Sequence, residues 1–393
     1  MVSALTILHD RWLTIGHMQS GTGERRTDSW SDRQQLVQTS AAGPIARGQT
    51  DQQQLVGAAA RAAEGSAVPF PFKLLPLDAE TQRRVIADFP GYPNGLQCVQ
   101  SWGFKVVGTA TETDLEALYN RPLQPGDIWV CSPPKCGSMW TQELVWLLEN
   151  DLDFDGCRVM LTERWRFSES CMAIDLEQRT QLAAKRTAPA ASAGRSRFVK
   201  SHLPMSLCPP RLLDVCKVVY VARNPKDICV SFYKHARRYK NVNFQKELEV
   251  FADHFLAGNV VLTPVVPHMI EAWNLRHHPN MCFLFYEDMK RDLRGQIRRL
   301  AGFLGRQYSD AQVDRLAEYL HIDAFKKNPW RSQDFGKGAG MMNEGEGDFI
   351  RTGKAGDWKN HMSAEMSARF DRLLEEQLKG TDLRFTMELQ QQD

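Results

Sequence analysis

Paired cysteines, strong net charge and long apolar runs are missing from this chain of 393 residues, and each absence removes a class of protein. The nine cysteines form no C-x-x-C pair and follow no regular spacing, which argues against a disulfide framework or a structural zinc site. The formal net charge is only +2, so neither nucleic acid nor an anionic membrane is required as a partner. Any basic site must therefore be local.

Membrane-directing segments are also missing from the sequence. No apolar run approaches the length that crosses a bilayer, and the first residues hold no continuous apolar stretch behind a basic flank. Cys131, Cys229 and Cys282 lie inside apolar runs, where a free thiol behaves as a small hydrophobic group. These features predict a soluble protein of a reducing compartment, the cytoplasm.

What the chain does contain divides it into two parts. Residues 1–68 are rich in Gln, Ala, Ser, Gly and Thr and keep no hydrophobic period, so we predict a disordered N-terminal extension. From Pro69 onwards aromatic and β-branched residues become regular, and 42% of the whole chain is hydrophobic, enough for a substantial core. Residues 69–393 are therefore predicted to form one folded domain.

Short apolar runs that end in polar residues predict the strands of this domain. They are Ile128–Ser132, Arg197–His202, Lys217–Asn224 and Met281–Asp288. Helical patterns lie between and after them, at Met139–Asn150, Pro225–Tyr239, Asn243–Leu262, Leu293–Leu304 and Ser363–Lys379. Strands that are apolar throughout, with helices between them, predict the α/β class: a central parallel sheet flanked by helices.

The polar ends of the four strands predict a shared site. Lys135, His202, Arg223 and Tyr286 each follow a different strand, and ligands of parallel sheets collect beyond the carboxyl ends of the strands. Each residue alone is better explained as a solvated strand end. Because the pattern recurs at all four strands, a binding site is favoured.

The segment Ile128–Leu148 reads as strand, loop and helix, an arrangement that binds phosphate at the helix N-terminus. In its loop, PPKCGSMW, Lys135 lies two residues ahead of Gly137, whereas GxxxxGK[ST] places the lysine directly after the glycine. That order, and the lack of an evident carboxylate pair for magnesium, disfavour a nucleotide kinase. The loop is P-loop-like and predicts an oxyanion ligand; the simpler alternative is a Gly-Ser helix cap.

Two other strand ends offer chemistry of their own. Arg223 lies beside the start of a second helix, where a guanidinium fork suits a phosphate. Ser231, about two turns along that helix, adds a hydroxyl, or is an ordinary helix serine. His202 follows a buried strand, where a neutral imidazole can accept a proton, and Lys200 can stabilise developing negative charge. In a late basic loop, Arg351 and Gly353 can close over a phosphate from the far side.

In this order and spacing, PPKCGSMW, KSHLP, YVARNPKDICVSFYKH, YEDM and IRTGKAGDWKNH closely resemble the motifs of the cytosolic sulfotransferases. The resemblance runs from about Phe72 to Phe385. It implies a sulfotransferase that uses 3′-phosphoadenosine 5′-phosphosulfate (PAPS) as co-substrate and no metal. It also implies a small-molecule acceptor, whether phenol, alcohol, steroid or amine, no nucleic-acid or membrane partner, and a monomer or weak homodimer.

The resemblance further implies a role for each matching residue. His202 is the expected general base, and Lys135, Lys200 and Ser231 are expected to assist catalysis. Donor contacts are expected from Lys135, Cys136, Gly137, Ser138, Met139, Trp140, Arg223, Ser231, Tyr286, Arg351, Thr352 and Gly353. The first loop would hold the 5′-phosphosulfate, the later residues would hold the 3′-phosphate, and the aromatic side chains would lie near the adenine.

Three of these positions depart from the family pattern. Cys136 and Met139 stand within a loop that usually reads PKSGTTW, and Thr352 replaces the lysine of Arg-Lys-Gly. Each lost contact predicts donor binding that is weaker by about 1.5–3 kcal/mol. Ile322 is placed where a phenylalanine usually stacks on the adenine. An alternative reading is a pseudoenzyme that binds the donor, its product or another small ligand with impaired turnover.

Acceptor choice is assigned to three loops, Cys157–Phe167, Tyr233–Asn243 and Trp330–Asp348. Their Phe, Met and Trp content predicts a largely apolar acceptor. The glycine-rich third segment is predicted to be a mobile loop.

Overall fold

The computed structural model describes residues 68–169, 197–328, 330, 342–343 and 353–389. Residues 1–67 lie outside this range, as do Arg351, Thr352 and most of Trp330–Asp348, so the predictions made for them stay predictions. Val68, the first described residue, is 4% exposed and packs against Tyr119. It belongs to the packed part of the chain and not to an extension.

A small antiparallel sheet opens the described domain. It consists of β1 (Leu74–Pro76), β2 (Leu96–Val99) and β3 (Lys105–Val107), hydrogen-bonded in that order. The sequence analysis did not predict this sheet, because strands of three or four residues are too short to show a clear alternation of apolar and polar positions.

The main sheet has five strands, all parallel to their neighbours. They are β4 (Ile128–Cys131), β5 (Arg166–Phe167), β6 (Phe198–Ser201), β7 (Lys217–Ala222) and β8 (Met281–Phe285). Their order across the sheet is β5-β6-β4-β7-β8. Four of the five coincide with the predicted apolar runs, so the predicted α/β class with a parallel sheet is confirmed.

Helices flank the main sheet. The α-helices are Ala79–Asp88, Glu112–Tyr119, Ser138–Glu149, Leu161–Arg164, Leu212–Val215, Pro225–Arg238, Leu248–Leu256, Val265–Asn274, Tyr286–Arg291, Leu293–Leu304, Asp310–Tyr319, Ile322–Lys327 and Ala364–Gln377. Single 3-10 turns lie at Met205–Leu207 and Asp357–Asn360.

Two predicted element boundaries are wrong. The helix expected over Asn243–Leu262 is confined to Leu248–Leu256, because both ends of the longer segment have left-handed backbone, with φ of 53° at Asn243 and 61° at Leu262. The last strand ends at Phe285, and Tyr286 already begins a helix. Its ring is therefore carried by a helix start and not by a strand end.

Burial of the central strands fixes where polar groups can lie. Strand β4 is buried along its whole length, and β7 is buried from its second residue onwards. Trp129 of β4 is 1% exposed, and burying a large apolar side chain of this kind contributes about 1.5–3 kcal/mol. Since the strands carry no free polar face, polar side chains gather where the strands end.

Candidate active site

The loop between β4 and the helix Ser138–Glu149 is shaped by left-handed backbone at Lys135 and Gly137, with φ of 70° and 95°. A Cβ at Gly137 would lie 2.7 Å from the Tyr286 ring, so this close approach requires glycine. Among the described residues no side chain caps the helix. Gly137 is the N-cap residue, so a Gly-Ser helix cap also describes this turn, while the first helical N–H groups face the loop as an anion site would require.

Arg223 connects this loop to the late loop, residues 353–356. Its Nη1 donates to the Lys135 carbonyl oxygen at 3.1 Å, and its Nη2 donates to the Lys354 carbonyl oxygen at 3.3 Å. The guanidinium lies over the Tyr286 ring, 4.3 Å from its centre. Its Nε is buried without a hydrogen-bond partner among the described residues. A buried donor of this kind is expected to bind a ligand, and an anion satisfies it best.

The late loop is fixed to the same rim by hydrogen bonds. The Asp227 carboxylate accepts the Gly356 and Trp358 N–H groups at 2.7 and 3.0 Å. The Tyr286 hydroxyl donates to the Gly353 carbonyl oxygen at 3.0 Å. The structure therefore brings Gly353 beside Arg223, while Arg351 and Thr352 lie outside the described residues.

His202 is held by three separate contacts at the end of β6. Its Nδ1 lies 2.7 Å from the Ser132 carbonyl oxygen, so Nδ1 carries the proton and Nε2 is left as the acceptor. Its backbone N–H donates to the Glu169 carboxylate, and its carbonyl oxygen accepts from His268 Nε2 at 3.1 Å. The imidazole thus has one tautomer and one orientation, as a general base requires.

Like charges crowd the rim near this histidine. Burial, together with the charges of Lys200, Arg223 and Arg238, lowers the pKa of Lys135 to about 7. Burial also lowers the pKa of Lys200 to about 8, although the Glu169 carboxylate opposes that shift. Cations that disfavour one another in a partly buried place are stabilised when an anion binds between them.

The same surroundings keep His202 neutral. Burial lowers its pKa well below the ordinary value of 6.5, and the charges of Lys200 and Lys135 lower the pKa further. At neutral pH the ring is therefore unprotonated and able to accept a proton. An anionic ligand beside these lysines would raise the pKa of the ring and make it a stronger base.

An aromatic pair continues the rim away from the lysines. The Trp140 and Tyr286 rings pack edge to face, with centroids 5.7 Å apart, and Trp140 Nε1 donates to the Leu320 carbonyl oxygen at 2.9 Å. Ile322 lies next to Gly353, since a Cβ on that glycine would meet its side chain at 2.4 Å, and the Gly353 carbonyl oxygen accepts the Tyr286 hydroxyl. These apolar surfaces suit a planar base.

The remaining predicted residues differ in their exposure. Cys136 is fully buried, with Sγ 3.9 Å from the Pro134 carbonyl oxygen, and burial raises the pKa of this thiol well above its usual value. Ser138 and Met139 are also buried, both at 7% exposure, at the start of the helix. Ser231 is half-buried on the helix Pro225–Arg238, which begins directly after Arg223 and Asn224.

Ser132 and Glu169 were missed by the sequence analysis. Ser132 acts through its backbone carbonyl, which no side-chain pattern reveals. Glu169 lies 33 residues before His202 in the chain, and only a two-residue strand precedes it. One signal could have indicated Glu169: it is a charged residue that comes shortly after a strand, and that strand lies beside β6.

Three features meet at the carboxyl edge of the parallel sheet: a phosphate-type loop, a cluster of cations and an oriented, neutral histidine. Together they define an enzyme for a multiply charged donor. The chain belongs to the sulfotransferase family, since residues 125–382 match the family model described as "Sulfotransferase domain". The family predicted from the sequence is therefore confirmed, and with it the class of transferase.

Relatives of known name agree with this assignment. Luciferin sulfotransferase of Photinus pyralis is 31% identical over 68% of this chain and 75% of its own length. Amine sulfotransferase of Oryctolagus cuniculus is 32% identical over 70% of this chain and 88% of its own. Retinol dehydratase, solved in a complex with retinol and PAP, is 36% identical, covers 81% of this chain and 100% of its own, and superposes with a TM-score of 0.75.

Metal clusters and membrane-spanning helices are both absent from the described residues. In that part of the chain, no cluster of three or more His, Cys, Asp or Glu side chains is arranged to hold a metal ion. Within the same ranges, no helix combines the length and apolar character needed to cross a membrane.

Proposed function

We propose that this chain transfers the sulfuryl group of PAPS to a hydroxyl or amine of a small, largely apolar acceptor, with His202 as the general base. The proposal rests on one observation: a neutral histidine and two partly buried lysines lie at the same rim of the sheet. A neutral, oriented imidazole lies beside Lys135 and Lys200, whose pKa values are lowered by burial and, for Lys135, also by the charge of Lys200. The imidazole suits a proton acceptor, and the lysines suit an anionic donor.

The donor fits the rim as a molecule with two anionic ends. PAP, which is PAPS without its sulfuryl group, is bound in the related retinol dehydratase. In this chain the 5′-phosphosulfate would lie on the first loop, against Lys135 and the N–H groups at Ser138. The 3′-phosphate would lie near Arg223, whose Nε is buried without a partner among the described residues, with Ser231 and the late loop beside it. Trp140 and Tyr286 would face the adenine.

The reaction is an in-line displacement at sulfur. The acceptor oxygen or nitrogen gives its proton to His202 Nε2 and forms the new bond to sulfur, while the bond from sulfur to the 5′-phosphate oxygen breaks. Lys135 neutralises the charge that grows on that leaving oxygen, and Lys200 stabilises the sulfuryl group in transit. One preorganised contact of this kind contributes about 3 kcal/mol, or roughly a hundredfold in rate.

The acceptor class follows from the surroundings of His202. The Phe167 ring packs against the imidazole with centroids 5.7 Å apart, so the base works beside an apolar wall. The named relatives act on luciferin, on amines and on retinol, which are small molecules with a nucleophilic oxygen or nitrogen. A phenol, alcohol, steroid or amine with an apolar body therefore suits this site.

A second function is favoured by the likeness to retinol dehydratase. A carbon–oxygen bond breaks more readily once the oxygen carries a sulfuryl group, because sulfate is a far better leaving group than hydroxide. Transfer to an allylic alcohol, followed by departure of sulfate and loss of one carbon-bound proton, gives an alkene. This chain would then act as a PAPS-dependent dehydratase on such alcohols while acting as a sulfotransferase on others.

An acceptor screen tests both functions. The purified chain is incubated with PAPS and a panel of phenols, alcohols, steroids and amines, and the products are identified by mass spectrometry. We expect PAPS-dependent products that carry an added sulfuryl group, or alkenes from allylic alcohols, and neither product from His202→Ala. Tight binding of PAP without any product across the panel would contradict the proposal and favour the pseudoenzyme.

A further inference from the structure

We infer that Glu169 is a positioning residue of this site, one that fixes the strand end carrying Lys200 and His202 and keeps the Lys200 ammonium protonated. The inference rests on the proposed function, because it acts through the two residues to which that function gives the sulfuryl group and the acceptor proton. No motif contains Glu169, and the mechanism above does not use it.

The first part of the inference rests on hydrogen bonds. One carboxylate oxygen of Glu169 accepts the backbone N–H of His202, and the other accepts the Ser201 hydroxyl at 2.9 Å. Ser201 Oγ in turn accepts the Leu203 N–H at 3.1 Å. Glu169 thus holds Ser201 and His202 directly, and Leu203 through the Ser201 hydroxyl, at the point where the chain leaves β6. It holds the backbone of His202, while Ser132 holds its ring.

The second part rests on burial and charge. Glu169 has no exposed surface, and a buried carboxylate needs a cation and hydrogen-bond donors to remain ionised. Lys200 is its cation: each group stabilises the charged form of the other. Burial raises the pKa of Glu169 to about 7, and the donors at His202 and Ser201 together with Lys200 act against this rise. Above about pH 7 the ionised carboxylate therefore supports the Lys200 ammonium.

The groups around Lys200 make this support necessary. Its Nζ lies 4.5 Å from the centre of the Phe167 ring on β5, a surface that provides little solvation. Lys135 in the first loop, His202 on its own strand and His235 on the helix Pro225–Arg238 all feel its charge. The lysine repels Lys135, and neither histidine is charged at neutral pH. The Glu169 carboxylate is what counters the burial of Lys200 before an anionic donor arrives.

The test is the pH dependence of PAPS affinity, measured by titration calorimetry on the full chain without acceptor. Glu169→Gln keeps the shape of the side chain and an oxygen for the His202 N–H but removes the charge. In the wild type, loss of the Lys135 proton should weaken PAPS binding from about pH 7, and loss of the Lys200 proton should weaken it further from about pH 8. We expect this second step, the alkaline limb, to move to lower pH in Glu169→Gln. Each unit of movement weakens binding up to about tenfold above the midpoint. Below about pH 7, where the wild-type carboxyl is itself protonated, the two proteins should bind PAPS alike.

The matched control is Glu271→Gln. Glu271 is also a buried carboxyl whose pKa is raised to about 7 by burial, and it holds the Ser206 N–H at 2.7 Å in the segment that follows His202. We expect this variant to lower the thermal unfolding midpoint without moving the alkaline limb. If Glu169→Gln fails to fold, Glu169→Asp, which withdraws the charge by one methylene, should move the limb in the same direction by less.

The outcomes separate this inference from the proposed function. A wild-type chain that does not bind PAPS at any pH would overturn the donor assignment and the inference with it. Wild-type binding together with folded Glu169 variants that are equally weakened at all pH values, or not weakened at all, would overturn the inference alone. In that case Glu169 has only a structural role and the proposed function stands.

Discussion

The site has a donor half, around Lys135 and Arg223, and a base half, around His202. The two halves differ in how far the polar groups they contain are already stabilised by neighbouring groups. In the donor half, Lys135 has a pKa lowered by burial and by neighbouring cations, and Arg223 keeps a buried Nε without a partner among the described residues. In the base half, the His202 ring, N–H and carbonyl oxygen all have partners. One half is built to be completed by a ligand, and the other is already complete.

This difference shows how binding and chemistry are divided between the halves. Cations that are partly buried beside other cations gain most when a multiply charged donor arrives, so donor affinity should depend on them. The histidine gains nothing from the donor except a raised pKa, so its contribution should appear in turnover and not in affinity. Variants in either half test whether binding and chemistry are separate.

The largest effect is expected from His202→Ala. Loss of a positioned general base typically lowers the rate by about 10²- to 10⁴-fold, and turnover of the best acceptor should fall by that amount. Affinity for PAP should stay within about twofold, because PAP offers the base no proton to accept. Turnover assays and titration calorimetry on the same preparation measure both quantities. A parallel loss of PAP affinity would show that the two halves are not separate.

Lys135→Met should lower both quantities. Turnover should fall roughly a hundredfold, because the leaving oxygen loses a preorganised cation, and PAP should bind more weakly as well. Lys217→Met is the matched control. Lys217 is the first residue of β7, at the amino-terminal ends of the strands and away from the site, and it donates to the Phe303 carbonyl oxygen at 2.9 Å. Turnover of the control should stay within about twofold. Unchanged PAP affinity in Lys135→Met would remove this lysine from the donor half.

The two halves also differ in how far the sequence predicts them. Lys135 and Arg223 were predicted because each follows a buried apolar run and precedes a helix, and local patterns of this kind survive folding. The parallel sheet was predicted for the same reason. The contacts that orient His202 were not predicted, because Glu169 follows a strand of only two residues and Ser132 acts through its backbone. Such contacts depend on which strands become neighbours.

Left-handed backbone accounts for another part of what was missed. A hydrophobic pattern continues through Asn243 and Leu262, yet both residues have positive φ, and the helix between them is shorter than the pattern indicates. Glycine is the clearest sign of such a conformation in a sequence, and asparagine, as at Asn243, is a weaker one. At Gly137 and Gly353, glycine did mark the turns correctly.

Donor affinity should fall as pH rises, which sharpens the contrast between the halves. The free protein loses the Lys135 proton above about pH 7, the pKa set by burial and neighbouring cations, and an anionic ligand restores it. PAP binding is therefore coupled to proton uptake, and affinity falls by up to about tenfold per pH unit above that value. Calorimetry in two buffers of different ionisation enthalpy measures the uptake. Lys135→Met should reduce it, and His202→Ala should leave it nearly unchanged.

The smallest effect is expected from Gly353→Ala, which tests whether the late loop belongs to the donor half. Gly353 has φ of 62°, and an added Cβ would lie 2.4 Å from Ile322, so the loop must shift where the Tyr286 hydroxyl holds it. Gly305→Ala provides the control, since Gly305 has φ of 79° but nothing within 4 Å of an added Cβ. Both variants should lose about 1 kcal/mol of stability to left-handed strain, seen as a lower thermal midpoint. Only Gly353→Ala should also weaken PAP binding, by roughly fivefold, because the loop position and not the backbone strain sets the 3′-phosphate contact. Equal PAP affinity in the two variants would place the late loop outside the donor half and leave the first loop and Arg223 to bind both anionic groups.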